Sequence, residues 1–423
     1  MNTHSSSAVS SSNWAIRVLP LALGMFAIGS EGLVIAGILP DVARGLNVSI
    51  SAAGQLVTIF ALAYALLGPF LTALATRFPI RRVLLGALII FAVGNVLAAL
   101  APSYGLMVVI RILAAIGAAS FQGVASAAGV ALAPLDKQGR ALALVWSGLT
   151  VALVAGVPLG TFIAGLASWR ITFAVVAALA ALAALGIVVL VPELARPPIV
   201  TVPMFGRLMR RSALLAILVT TLFAIAGEFV AYTYIAPLVT LLTPGSEPFL
   251  ALILLGFGIA GVIGNALGGT SADRFGANRT IVVSLVFLLG AMLLLWGLNF
   301  VAVSVVTIIL AALAATVWGV TGWSFVTPLQ SQLLTTAPEQ VSVTLALNNS
   351  ALNLGTALGG AVGGLIVSSH VGFLPLSGSI FIALGLLLHQ LVVGHRRPSL
   401  SPSASFRTTS VTPEGEKIEQ PGR

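Results

Sequence analysis

The pentapeptide Ala27-Ile28-Gly29-Ser30-Glu31 is followed by an apolar run that ends at Pro40. A second copy, Ala224-Ile225-Ala226-Gly227-Glu228, is followed by another apolar run and then Pro237. In both, the proline comes nine residues after the glutamate, and the copies stand 197 residues apart. Each glutamate lies inside a hydrophobic stretch long enough to cross a bilayer. A carboxylate there is expensive, so it marks a functional site by default. Two such acids at one offset predict a duplicated helix bundle with a matching acid in each half.

Composition places the chain in a membrane. Of its 423 residues, 58% are hydrophobic and 7% charged, whereas a soluble domain carries roughly a quarter charged residues. The 44 glycines suit helices that approach closely in lipid. The absence of cysteine removes disulfides and thiolate metal sites. In a soluble protein the net charge of +9 would point to nucleic acid. Here its placement matters more, and the expected partner is the lipid bilayer, with no nucleic acid.

Twelve apolar spans are expected, at 15–39, 52–75, 83–101, 105–133, 141–165, 171–192, 213–238, 249–270, 280–299, 301–327, 341–368 and 373–394. Each is long enough to cross a bilayer. They are uniformly apolar rather than alternating, so they read as helices and not as barrel strands. The fold class is an all-α membrane protein with two six-helix bundles, 15–192 and 213–394. A linker at 193–212 divides them, and polar tails at 1–14 and 395–423 read as disordered. With both termini inside, 17 of the 20 Lys and Arg residues fall in inner segments. Arg44 and Arg170 fall in outer loops, and Arg111 lies within a span. That bias predicts cytoplasmic termini and cytoplasmic linker and tails in a multi-pass inner (plasma) membrane protein.

The same 197-residue offset places Ala272-Asp273-Arg274-Phe275-Gly276 over Ala75-Thr76-Arg77-Phe78-Pro79. Both copies lie in short inner loops, and at this point the sequence resembles the major facilitator superfamily. The loop from Gly269 to Arg279 is similar to that family's G-x-x-x-D-R-x-G-R-[RK] signature, with Asp273, Arg274 and Gly276 matching. The first loop departs from it, with Thr76 for the acid and Pro79 for the glycine. Arg111-Ile112-Leu113-Ala114-Ala115-Ile116-Gly117 is similar to the R-x-x-x-G-x-G-like element of proton-coupled drug antiporters, and Gly156-Val157-Pro158-Leu159-Gly160 resembles their G-x-P-x-G motif. Trp169-Arg170 with Phe173 looks like the W-R-x-x-F that opens span 6, and Glu31 through Ala43 resembles the arabinose-efflux-permease-like group. The resemblance implies the two-bundle fold with pseudo-two-fold symmetry. It also implies a central cavity lined by spans 1 and 4 among others, and proton-driven export.

Glu31 lies about eight residues, or ~12 Å, from the outer end of span 1, and Arg111 lies ~9 Å from the outer end of span 4. Their similar depth predicts an ion pair, and a neighbouring cation competes with the proton for such a carboxylate. A purely structural pair is the alternative. Glu228 has no basic residue at matching depth in spans 10 or 11. A carboxyl whose protonation follows water access can load and unload a proton, so Glu228 ranks above Glu31 as proton carrier. It is also a candidate substrate contact. Tyr232, at i+4 from Glu228, shares its face. Gln122 is eleven residues from Arg111, close to three turns, and Asn349 and Asn353 are spaced i, i+4. These four polar residues are candidate substrate contacts, with interhelical hydrogen bonding as the alternative. Tyr234 suits an interfacial belt, and Trp318 and Trp323 suit packing or anchoring.

Pro158 should bend span 5 while Gly156 and Gly160 allow close packing. Gly355, Gly359 and Gly363 form a small-residue stripe. Asp273 and Arg274 are expected to latch neighbouring helix ends. No catalytic constellation, phosphate-binding loop or metal-ligand cluster is seen, so neither an enzyme nor a cofactor is expected. The expected function is a monomeric secondary transporter exporting a small molecule in exchange for protons by alternating access. A sugar or nucleoside exporter, or a membrane sensor on the same scaffold, are the alternatives.

Overall fold

The computed structural model of this chain describes residues 14–194 and 200–394. The expected tails, apart from Trp14, and residues 195–199 of the linker lie outside the described residues.

Twelve apolar helical spans carry the fold. In the first half they are α1 (Trp14–Gly45), α2 (Ile50–Ala75), α3 (Ile80–Leu100), α4 (Tyr104–Leu132), α5 (Leu135–Leu166) and α6 (Trp169–Leu190). In the second half they are α7 (Ser212–Tyr232), α8 (Leu250–Phe275), α9 (Ala277–Leu298), α10 (Val305–Thr336), α11 (Pro338–Val367) and α12 (Val371–Val392). Helix starts follow local chemistry. Ser49 accepts from the Ala52 amide at 3.1 Å before α2, and Ser304 and Thr307 cap one another at the start of α10. Short turns join most successive spans, with longer connections at 191–211 and 233–249, and successive helices run in opposite directions. The α1 start and the α12 end therefore share one side of the molecule, here the terminus side.

Four expectations about the elements need correction. Pro40 does not end the first span, because α1 continues to Gly45 with Arg44 in its last turn, paired to Asp41. In the second copy the chain breaks after Tyr232 instead, and Pro237 sits in a separate helix, Ile235–Leu242. The tenth span was expected to end at 327 but runs to Thr336. Its last segment, Val326–Thr336, is helical yet rich in Gln and Thr, so hydropathy fades before the helix does. Part of the linker is also a helix, Val202–Met209. The bend expected at Pro158 takes a specific form. The turn just before it, Ala152–Gly156, is π-helical, which accommodates the lost backbone donor of the proline.

One hydrophobic core fills each bundle. A third joins them on the side away from the termini, combining Ile35, Leu39 and Leu56 with Val230, Tyr234 and Leu374. The most extensive contacts between the halves are α2 with α11 and α5 with α8, and α1 also meets the helix Ile235–Leu242. Ser51 Oγ donates to the Gly364 carbonyl at 2.6 Å, and Tyr234 Oη donates to the Gly360 carbonyl at 3.0 Å. Gly54 lies under the Tyr234 ring, where a side chain would overlap it. Tyr234 is thus fully buried in the seam rather than in an interfacial belt.

Candidate functional site

A cavity of about 340 Å³ lies between the halves, on the terminus side of the seam. Four helices of each half wall it: α1, α2, α4 and α5 facing α7, α8, α10 and α11. Of the expected contact residues, Gln122, Asn349 and Asn353 line it. Tyr64 Oη donates to Gln122 Oε1, and Asn353 Nδ2 donates to the Asn349 carbonyl at 2.9 Å. Trp323 also lines the cavity, where packing or anchoring was expected.

The expected ion pair is present. Glu31 and Arg111 are in contact, with side chains about 1% exposed. Arg111 Nε donates to the Leu56 carbonyl at 3.4 Å, and its guanidinium sits 4.4 Å from the centre of the Phe60 ring. That ring is itself part of the cavity wall. The pair therefore lies one side chain behind the wall. In a site this dry, two charges are tolerable only when matched to each other.

Glu228 and Tyr232, expected as candidate substrate contacts, are not among the residues lining the cavity in this conformation. They do share a face of α7, but that face meets α8 and α10. Tyr232 packs 5.5 Å from Phe257 and 6.5 Å from Trp318, ring centre to ring centre. The cavity instead receives Ile225 and Phe229 from α7. Glu228 is 2% exposed and fits against Gly322 of α10, where an added Cβ would come within 2.5 Å of Oε1. Trp318 is a polar neighbour of its carboxyl, although the indole N–H does not reach hydrogen-bond geometry. Among the described residues no cation pairs with Glu228.

The motif residues are placed as follows. Gly156 abuts Ser30 and Gly160 abuts Val34, so α5 packs on the α1 segment around Glu31. Gly355, Gly359 and Gly363 pack on the α7 backbone. Gly276 adopts φ +89° where α8 ends, a conformation that favours glycine, and Thr280 Oγ1 donates to its carbonyl. Arg274 lies over Phe275 of its own helix. Among the described residues, Asp273 and Arg274 make no ion pair or hydrogen bond to another helix, so the expected latch is not formed in this conformation. Arg170 does more than sit in a loop. It stacks on Trp169 and donates to the carbonyls of Ala99 and Ala101, at 3.2 and 2.7 Å, tying α6 to the end of α3.

Sequence reasoning missed several wall residues. Phe60 and Tyr64 are spaced i, i+4 in span 2, a usable signal. Asn265, Gln330 and Asn348 are amides in apolar helices, which also could have been flagged. Gln330 lay beyond the expected end of its span.

Residues 21–360 match the model of the Major Facilitator Superfamily. The chain is 34% identical over 373 residues to the inner membrane transport protein YdhP of Escherichia coli K12, covering 88% of this chain and 94% of that protein. It is 32% identical over 381 residues to a chloramphenicol resistance protein of Streptomyces lividans, covering 87% and 94%. The crystal structure of a D-xylose-proton symporter superposes with a TM-score of 0.70 at 20% identity, covering 88% of this chain and 95% of that one. Twelve apolar spans in two bundles, a cavity at their junction and these relatives agree: the chain belongs to the Major Facilitator Superfamily, and is a multi-pass membrane transporter rather than an enzyme.

Proposed function

We propose that this transporter exports a small drug-like molecule or metabolite from the cytoplasm in exchange for protons, by alternating access. The observation that carries the reading is the unequal pairing of two buried acids beside one cavity. Glu31 is held by Arg111, whereas Glu228 is buried one residue from the wall residue Phe229 with no cation. A buried acid without a partner is retained at a cost, and proton transfer gives it a use. The charge bias makes the terminus side cytoplasmic. On that orientation the halves are joined on the outer side, and the conformation is inward-facing. The resistance protein among the relatives supports efflux of a drug-like compound. Asp273, Arg274 and Gly276 would act at the cytoplasmic ends of the helices when the halves close there. Gly156, Pro158 and Gly160 would serve as the bend around which α5 moves against α1.

The test is transport in proteoliposomes with an imposed proton gradient and an internal pH dye. Chloramphenicol should drive proton flux in the native chain and not in Glu228→Gln. Undiminished flux in that variant would remove Glu228 from the coupling step. Absence of proton flux with any drug, nucleoside or sugar tested would sink proton coupling altogether.

A further inference from the structure

The cavity wall carries a chemical signature that narrows the substrate class, and the argument rests on the cavity being the substrate site. Among the described residues, no Asp, Glu, Lys, Arg or His lines it. The second-half wall instead presents carboxamides, from Asn265, Gln330, Asn348, Asn349 and Asn353. Asn265 accepts from Thr327 at 2.6 Å. By contrast, Gln330, Asn348 and Asn349 make no side-chain hydrogen bond within the protein among the described residues, and none of their amide atoms is sealed from the cavity. Their donors and acceptors are unused. The first-half wall is mainly apolar and aromatic, with Ile28, Leu33, Phe60, Tyr64 and Trp146.

We propose that the cavity selects neutral molecules that join an aromatic or apolar body to several uncharged hydrogen-bonding groups, and that it rejects permanent cations. The body lies on the Phe60, Tyr64 and Trp146 side, and the amide or hydroxyl groups face Gln330, Asn348 and Asn349. A cation in this cavity would meet no carboxylate on the wall, because Glu31 is committed to Arg111 and Glu228 is not among the lining residues. A bare polyol fails for the opposite reason. Its hydroxyls on the aromatic side would have too few partners, and an unmade buried hydrogen bond is costly. The cavity volume of about 340 Å³ falls within the range of small-molecule sites.

The experiment is equilibrium binding to the full chain purified in detergent, followed by calorimetry. The probes are chloramphenicol and adenosine (both neutral, aromatic and hydroxylated), the tetraphenylphosphonium cation, and xylose. Chloramphenicol or adenosine should bind saturably, at least about tenfold more tightly than either of the other two. Asn349→Leu and Gln330→Leu should each weaken that binding by about tenfold. Both variants should melt at the native temperature, since no internal hydrogen bond is lost. The proposal is overturned by tetraphenylphosphonium or xylose binding as tightly as the neutral aromatics. It is equally overturned by no saturable binding of either neutral aromatic up to about 1 mM, or by normally folded Leu variants that bind like the native chain. No gradient is involved, so the expected binding order without proton flux would overturn the coupling reading alone.

Discussion

The two acids share a sequence context but not an electrostatic one, and substitutions should separate them. Glu31→Gln leaves the Arg111 guanidinium unpaired between the Phe60 ring and the Leu56 carbonyl. Breaking one side of a buried pair costs about 3–5 kcal/mol. Thermal unfolding in detergent should therefore show Glu31→Gln well below the native chain, and the double variant Glu31→Gln/Arg111→Met should recover most of the loss. A native melting temperature for the single variant would mean that the pair contributes nothing. Glu228→Gln breaks no ion pair and is close to isosteric. It should change stability by less than about 1 kcal/mol while abolishing proton-driven transport. The Glu31–Arg111 pair was legible in the sequence because each is a charge well inside an apolar span of the same half, although α1 runs six residues beyond the end from which depth was counted. The direction of Glu228 was not. The i, i+4 spacing to Tyr232 relates two positions on α7, but it says nothing about which neighbours that face meets. That depends on Phe257 and Trp318, which are brought together only by the packed bundle.

Among the elements, the α8–α10 contact shows how glycine sets helix approach. A Cβ on Gly264 or Gly268 would overlap the carbonyl oxygens of Val320 and Ser324, so the backbones of α8 and α10 touch there. One position further on, Gly269 meets only a Thr327 methyl at 3.8 Å. Gly264→Val should thus greatly reduce the yield of folded, monodisperse protein in size-exclusion chromatography, while Gly269→Ala should elute like the native chain. Equal behaviour of the two would show that the contact yields easily. Helix existence and order were readable from hydropathy and turn residues, because burial in lipid demands uniformly apolar helices. Helix ends were less readable where function intrudes. The last segment of α10 loses hydropathy because Gln330 and Thr327 face the cavity, and the same polarity hid the helix from a hydropathy count. The π-helical turn before Pro158 depends on how α5 fits between α1 and α8. Leu153 in that turn abuts Gly258 and Gly261, a contact that no local pattern announces.

For the whole molecule, transport requires the seam opposite the termini to open, and its polar and close-packed contacts mark where to weaken it. The Ser51 and Tyr234 hydroxyls bond to carbonyls of α11, and Gly54, Gly360 and Gly364 let α2, α7 and α11 meet without intervening side chains. The Ser51–Gly364 bond and the Gly54–Tyr234 contact cross the seam and exist only while it is closed, so weakening them shifts the population toward the open form without altering the cavity. Gly54→Val would drive the Tyr234 ring away from α2, and Ser51→Ala would remove a single hydrogen bond across the seam, worth about 1 kcal/mol. A reporter is easy to install, because the chain contains no cysteine. Thr356→Cys places a thiol on the α11 face of the cavity. In intact cells, a membrane-impermeant maleimide should label it slowly. Adding Gly54→Val should raise the labelling rate by roughly tenfold, corresponding to about 1.4 kcal/mol, and Ser51→Ala should raise it by less. Unchanged labelling in both would mean that the seam is not what closes the outer path. Faster labelling in the parent Thr356→Cys chain than in either variant would mean that the orientation inferred from charge is reversed.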